Sequence, residues 1–136
     1  CRDKIMPTIK YQYAPDVEEI ARDVVSRMNW DHIKLEHIGF LRSLNSKSRG
    51  TIARCHAMGK AMQIGLKRNT SFYVIEVISK RYDRFSEKDK VKTVIHELMH
   101  IPKSFGGGFK HHNVVNEKSV KNVYEKYEEL KKNNWF

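Results

Sequence analysis

Apolar residues recur along this chain with two different periods, and each change of period marks an element. Val17, Ile20, Ala21, Val24 and Met28 fall three and four apart, predicting one buried helical face that runs to about Asn29, with Trp30 pinning its end. Asp16-Val17-Glu18-Glu19 reads as the capping box that opens this helix. Between residues 33 and 41 the spacing shortens to alternation, Ile33 and Leu35 against Lys34 and Glu36, which predicts a strand. Asn45-Ser46-Lys47-Ser48-Arg49-Gly50 is a polar turn. Residues 52–56 and 62–66 read as two further strands, because Gly59 and Gly65 would each cost a continuous helix about 1 kcal/mol.

Phe72-Tyr73-Val74-Ile75-Glu76-Val77-Ile78 is the clearest strand, dense in β-branched and aromatic side chains. Ser86-Glu87-Lys88-Asp89 is a second capping box, with acids where the helix dipole favours them. Val91, Val94, Ile95, Leu98 and Ile101 then form a helical face, and Pro102 stops it. Gly106-Gly107-Gly108 predicts a flexible loop, and a last helix follows over 113–132 with Val120, Val123, Tyr127 and Leu130 on one side. No repeat and no shift of composition divides the chain. The expectation is a single α+β domain over residues 1–136: an N-terminal helix, a small, mainly antiparallel sheet, and two further helices.

Composition sharpens this only in part. A chain of 136 residues with 40% hydrophobic and 31% charged residues suits one globular core. No run approaches the ~18 consecutive apolar residues of a membrane span, so no membrane partner is expected. Cys1-Arg2-Asp3-Lys4 lacks the apolar core of a signal peptide, and Cys1 and Cys55 form no C-x-x-C pair. A free thiol at Cys55 and a cytoplasmic location follow as expectations. Charge adds more. Lys and Arg number 26 against 16 acids, a net +10, and no acid occurs between Glu36 and Glu76. Arg42, Lys47, Arg49, Arg54, Lys60, Lys67 and Arg68 all fall in that interval, which makes DNA a candidate partner of segment 42–68.

The chemistry concentrates in His96-Glu97-Leu98-Met99-His100, an H-E-x-x-H motif inside the second capped helix. Residues four apart sit one turn above each other, so both imidazoles can reach one cation, with Glu97 beside it as a general base. Zinc in a catalytic site takes three protein ligands and keeps one position open. His112 is the expected third ligand, with His111 in reserve and Glu117 as a carboxylate alternative. His32 and His37 read as ordinary polar residues, and Cys55 and His56 point to opposite faces of a strand.

The run Val94-Ile95-His96-Glu97-Leu98-Met99-His100-Ile101-Pro102-Lys103-Ser104-Phe105-Gly106-Gly107 resembles the active-site segment of metallopeptidases found in archaea and phages, a group similar to the SprT-like zincins. The resemblance extends over roughly residues 40–115 and departs around 55–62. It implies a compact zincin-like fold with the 72–78 strand alongside the cleft and Glu76 as a candidate lining residue. It also supports His112 as the completing ligand.

The expected activity is therefore zinc-dependent hydrolysis of a protein or peptide substrate. His96, His100 and His112 would hold Zn²⁺, and Glu97 would act as general base toward the activated water. Tyr82, Tyr124 and Lys110 are candidate donors to the developing oxyanion. The similarity to SprT-like proteins adds DNA-associated proteins as candidate targets. The rival reading is a non-catalytic, zinc-stabilised domain that binds nucleic acid through its basic segment.

Overall fold

Strands β1 (Lys10–Tyr13), β2 (Ile38–Leu44), β3 (Ala53–Ala57) and β4 (Tyr73–Ile78) form one sheet in the order β1-β2-β4-β3. This is seen in a computed structural model that describes residues 8–110 and 114–133. The strand richest in β-branched residues, β4, thus lies inside the sheet, paired parallel to β2 and antiparallel to β3. With β1 antiparallel to β2, two of the three ladders are antiparallel, as expected of a mainly antiparallel sheet, and the central one is parallel, which makes the sheet mixed. The reason is topological. After β2 the chain builds the outer strand β3 first, then returns through a short helix, α2 (Lys60–Gly65), to fill the gap with β4.

The described residues form four other α-helices: α1 (Pro15–Met28), α3 (Ser79–Tyr82), α4 (Glu87–Met99) and α5 (Glu117–Asn133). Side chains alternate across a strand, so Tyr73, Ile75 and Val77 share one face of β4. They pack in one core with Val17, Ala21 and Val24 of α1, Val91, Val94, Ile95 and Leu98 of α4, and Val120 and Tyr127 of α5. Burying each such side chain stabilises the fold by about 1.5–3 kcal/mol, far more than helix propensity supplies. Tyr127 also hydrogen-bonds Asp23, tying α5 to α1. Among the described residues no helix is long and apolar enough to cross a membrane.

Several local expectations change in the folded chain. The first helix begins at Pro15, with no side-chain cap, so Asp16 sits inside its first turn rather than capping it. The carboxylate of Asp16 is spent elsewhere, on Arg42 at 2.8 Å. Asn29 does close the helix in the left-handed conformation, and the Trp30 amide donates to the carbonyl of Val25. Residues 33–37 are not strand, because the β4 partner register starts only at Ile38 opposite Tyr73; Leu35–His37 form a 3-10 turn instead. Residues 62–66 fall in α2 and its cap, where local amide bonds such as Gln63 to Gly59 replace the ladder a strand would need. In α4 the Ser86 hydroxyl caps as expected, accepting from the Asp89 amide at 3.2 Å. The last helix starts at Glu117, after a reciprocal cap in which Asn116 and Ser119 bond each other's amides.

Candidate metal centre

Helix α4 turns Val91, Val94, Ile95 and Leu98 into the core, and this orientation fixes where the remaining side chains point. His96, Glu97 and His100 converge on a cavity of about 590 Å3, walled by Ala53, Arg54 and Cys55 of β3 and by Phe109 and Lys110. A second cavity of about 600 Å3 shares Ala53, His96 and Glu97 and continues past Thr93 to Phe85. Together they make a groove along β3, with the motif at its middle. The strand beside the cleft is therefore β3, not β4 as the resemblance implied. Glu76 correspondingly lies on the opposite face of the sheet.

The two imidazoles face each other through Nε2 atoms 3.2 Å apart. Two nitrogens bound tetrahedrally to one zinc at ~2.0–2.1 Å would stand about 3.3 Å apart, so this pair fits such an ion. The His100 ring is also oriented from behind. Its Nδ1 lies 2.8 Å from the carbonyl of Lys110, which can only accept, so Nδ1 is the donor there and Nε2 is the nitrogen turned to His96. His100 is the C-terminal cap of α4, where the helix dipole also favours a cation.

The loop that supplies this carbonyl is fastened rather than loose, contrary to the expectation for its three glycines. The Gly107 amide donates to Tyr73 Oη at 2.9 Å, Tyr73 Oη donates to the Gly108 carbonyl, and the Lys110 amide donates to the His100 carbonyl. Only glycine suits position 107. Its φ of 97° is left-handed, and a Cβ there would lie 3.0 Å from the Met58 carbonyl.

Glu97 is nearly enclosed, and burial pushes its carboxyl up to about 7. A cation held by His96 and His100 would pull that value down again. Cys55 faces the same cavity; burial first, and the Glu97 charge second, push its thiol up to about 12. It is a free cysteine. His56, its neighbour, points the other way and bonds Glu76 at 2.7 Å.

The other candidates scatter. Lys110 lines the cavity, and its backbone carbonyl meets His100. Tyr82 is fully buried toward the start of α4, with Lys90 over its ring, and Tyr124 lies beneath Lys88 and Lys92. Glu117 lines the second cavity. Even so, among the described residues no three His, Cys, Asp or Glu side chains gather closely enough to hold a metal. His111 and His112 lie outside the described residues. His32 lines a separate cavity beside Trp30, and His37 stacks near Phe72 while bonding Thr70.

Two members of the basic segment already face carboxylates. Arg42 is clamped between Asp16 and Asp83 with its side chain 16% exposed. Arg54 approaches Glu76 at 3.8 Å. Lys47 and Arg49 lie before β3, whereas Lys60, Lys67 and Arg68 follow it.

Residues 9–132 match a family described as "Putative phage metallopeptidase", nearly the whole chain. The protein belongs to that family of phage metallopeptidases. No curated protein and no solved structure matches it.

Proposed function

We propose that this protein is a zinc-dependent peptidase in which His96, His100 and His112 hold the metal and Glu97 moves the proton. The reading rests chiefly on the paired Nε2 atoms 3.2 Å apart, one held in its tautomer by the Lys110 carbonyl, with Glu97 in the same cavity. Bound zinc supplies Lewis acidity, lowering the pKa of a water to about 7 and polarising the scissile carbonyl. Glu97 accepts the proton released as water attacks and returns it to the leaving amine. The enclosing walls of β3 and Phe109 limit competing solvent around that carboxylate. Lys110 brings the chain back to His100, and His111 and His112 are the next two residues of the sequence.

A peptide is held in register by pairing with β3, whose outer edge bonds no strand among the described residues. The rival reading, a nucleic-acid-binding zinc domain, is weakened by the loss of Arg42 to its two carboxylates. Elemental analysis of the purified chain beside His100→Ala, His111→Ala and His112→Ala tests the metal site. One zinc per chain, lost in His100→Ala and His112→Ala and kept in His111→Ala, is the expected pattern. A chain that takes up no zinc sinks the proposal. A chain that holds zinc but hydrolyses peptides equally well as Glu97→Gln removes the proton role.

A further inference from the structure

Helix α2 is built inside out. Its buried side chain is Gln63, at 5% exposure, while Met62 and Ile64 are 60% and 68% exposed and Leu66, capping the helix, is 53% exposed. Met62 and Leu66, four apart, share one side of α2 and Ile64 lies on the other side of Gln63; a surface helix ordinarily turns such residues inward, and exposed apolar residues rimmed by polar groups mark an interaction site. The rim here has one sign. Lys60, Lys67 and Arg68 are all exposed, and no carboxylate occurs between Glu36 and Glu76 to balance them.

The cluster also stands next to the groove. The chain enters α2 directly from β3 through Met58. The Met58 amide donates to the Phe72 carbonyl, and the Met58 carbonyl accepts from Ser71 Oγ and packs against Gly107. The root of α2 is therefore joined to the loop that carries Phe109, itself 46% exposed, into the cavity.

We infer that α2 and its flanking cations form a docking surface for an extended segment of the protein substrate that is both acidic and apolar, continuous with the free edge of β3. This rests on the peptidase reading in taking the partner to be substrate. Other occupants fit less well. A second copy would bring another chain of net charge +10 against the same cations. A bilayer surface is normally gripped by much longer amphipathic helices than one spanning about 9 Å. Nucleic acid would gain nothing from three aliphatic side chains, since bases stack on aromatic rings.

The probe is a fluorescein-labelled peptide of about ten residues, extended over ~33 Å, in which Glu and Asp alternate with Leu and Phe. Its binding is read by anisotropy on the zinc-loaded Glu97→Gln chain. Expected is a loss of about tenfold or more in Met62→Ser/Ile64→Ser/Leu66→Ser, and a smaller, salt-sensitive loss in Lys67→Glu/Arg68→Glu. These side chains are exposed, and unchanged thermal melts would show that both variants fold. A control peptide with Gln and Asn for the acids should bind weakly. Equal binding by parent and both variants overturns the inference, as does parent binding confined to phosphatidylserine vesicles or to single-stranded DNA. The readout needs no hydrolysis. Docking without any cleavage by the unsubstituted chain would count against the peptidase reading alone, and cleavage of the peptide unaffected by both α2 variants would count against docking alone.

Discussion

Glu76 and Glu97 are buried to nearly the same degree, 5% and 8% exposed, on opposite faces of the same sheet, yet they titrate in opposite directions. Burial would raise both. At Glu76 that cost is outweighed by hydrogen bonds from His56 and Ser43 and by the Arg54 charge, and the carboxyl ends below its ordinary value. At Glu97 burial acts without such compensation and carries the group up to about 7. A carboxylate enclosed with its own hydrogen-bond partners and an arginine is part of the scaffold. One enclosed beside two imidazoles in the middle of a groove is left needing a cation or a proton, the condition a metal-assisted general base requires.

The sharpest way to break this contrast is to neutralise each carboxyl in turn and follow turnover. Glu97→Gln should lower hydrolysis of a peptide substrate by about 10²–10⁴-fold while leaving zinc content at parent level. Glu76→Gln should leave kcat within about twofold, because its carboxylate and the nearest partner, His56, lie across the sheet from the groove.

Stability should reverse the ranking, and with opposite signs. Glu76 has a depressed folded value, so its contribution is present above the unfolded value near 4.5 and disappears as pH falls through the folded one. Glu76→Gln should therefore lose about 1–2 kcal/mol near neutral pH, a deficit that closes on acidification, as urea melts at several pH values would show. Glu97 has a raised folded value in the metal-free chain. Its favourable term is present below 4.5 and is lost as pH rises through about 7. Metal-free Glu97→Gln should then melt higher than its parent at about pH 8 and match it near pH 4. Equal melting at both pH values would remove the claim that the two sites differ.

The smallest expected effect is at Cys55, whose thiol is held up at about 12. Iodoacetamide at about pH 8 should label it far more slowly in the native chain than in urea, as peptide mapping by mass spectrometry would show.

Much of the site could be read directly from the residues. The spacing of His96, Glu97 and His100 and the cap at Ser86 are local facts, because both depend on contacts within one or two turns of a helix. The 73–78 strand and the three long helices were legible for the same reason: each pairs a clear period with a buried face. What escaped was non-local. Nothing in residues 53–57 announces an edge strand, because edge or interior is decided by where β4 inserts, some twenty residues later. Residues 62–66 looked like strand because Gly59 and Gly65 disfavour a continuous helix, but the short α2 starts after Gly59 and ends at Gly65, so neither glycine interrupts it. Asp16 looked like a cap because the partner that claims it, Arg42, lies across the fold.

Residue order alone set the chemistry available here: two imidazoles and a carboxylate on one helical turn, a glycine run that can fold back, and an excess of cations. Tertiary structure alone decided how that chemistry is arranged. It placed β3 along the groove, turned the Lys110 carbonyl onto His100, gave Glu76 its polar partners and withheld them from Glu97, and left α2 with its apolar residues outward. The physical reason is common to all four. Hydrogen-bond partners, burial and local dielectric come from residues distant in the chain, and they exist only once the sheet and helices have packed.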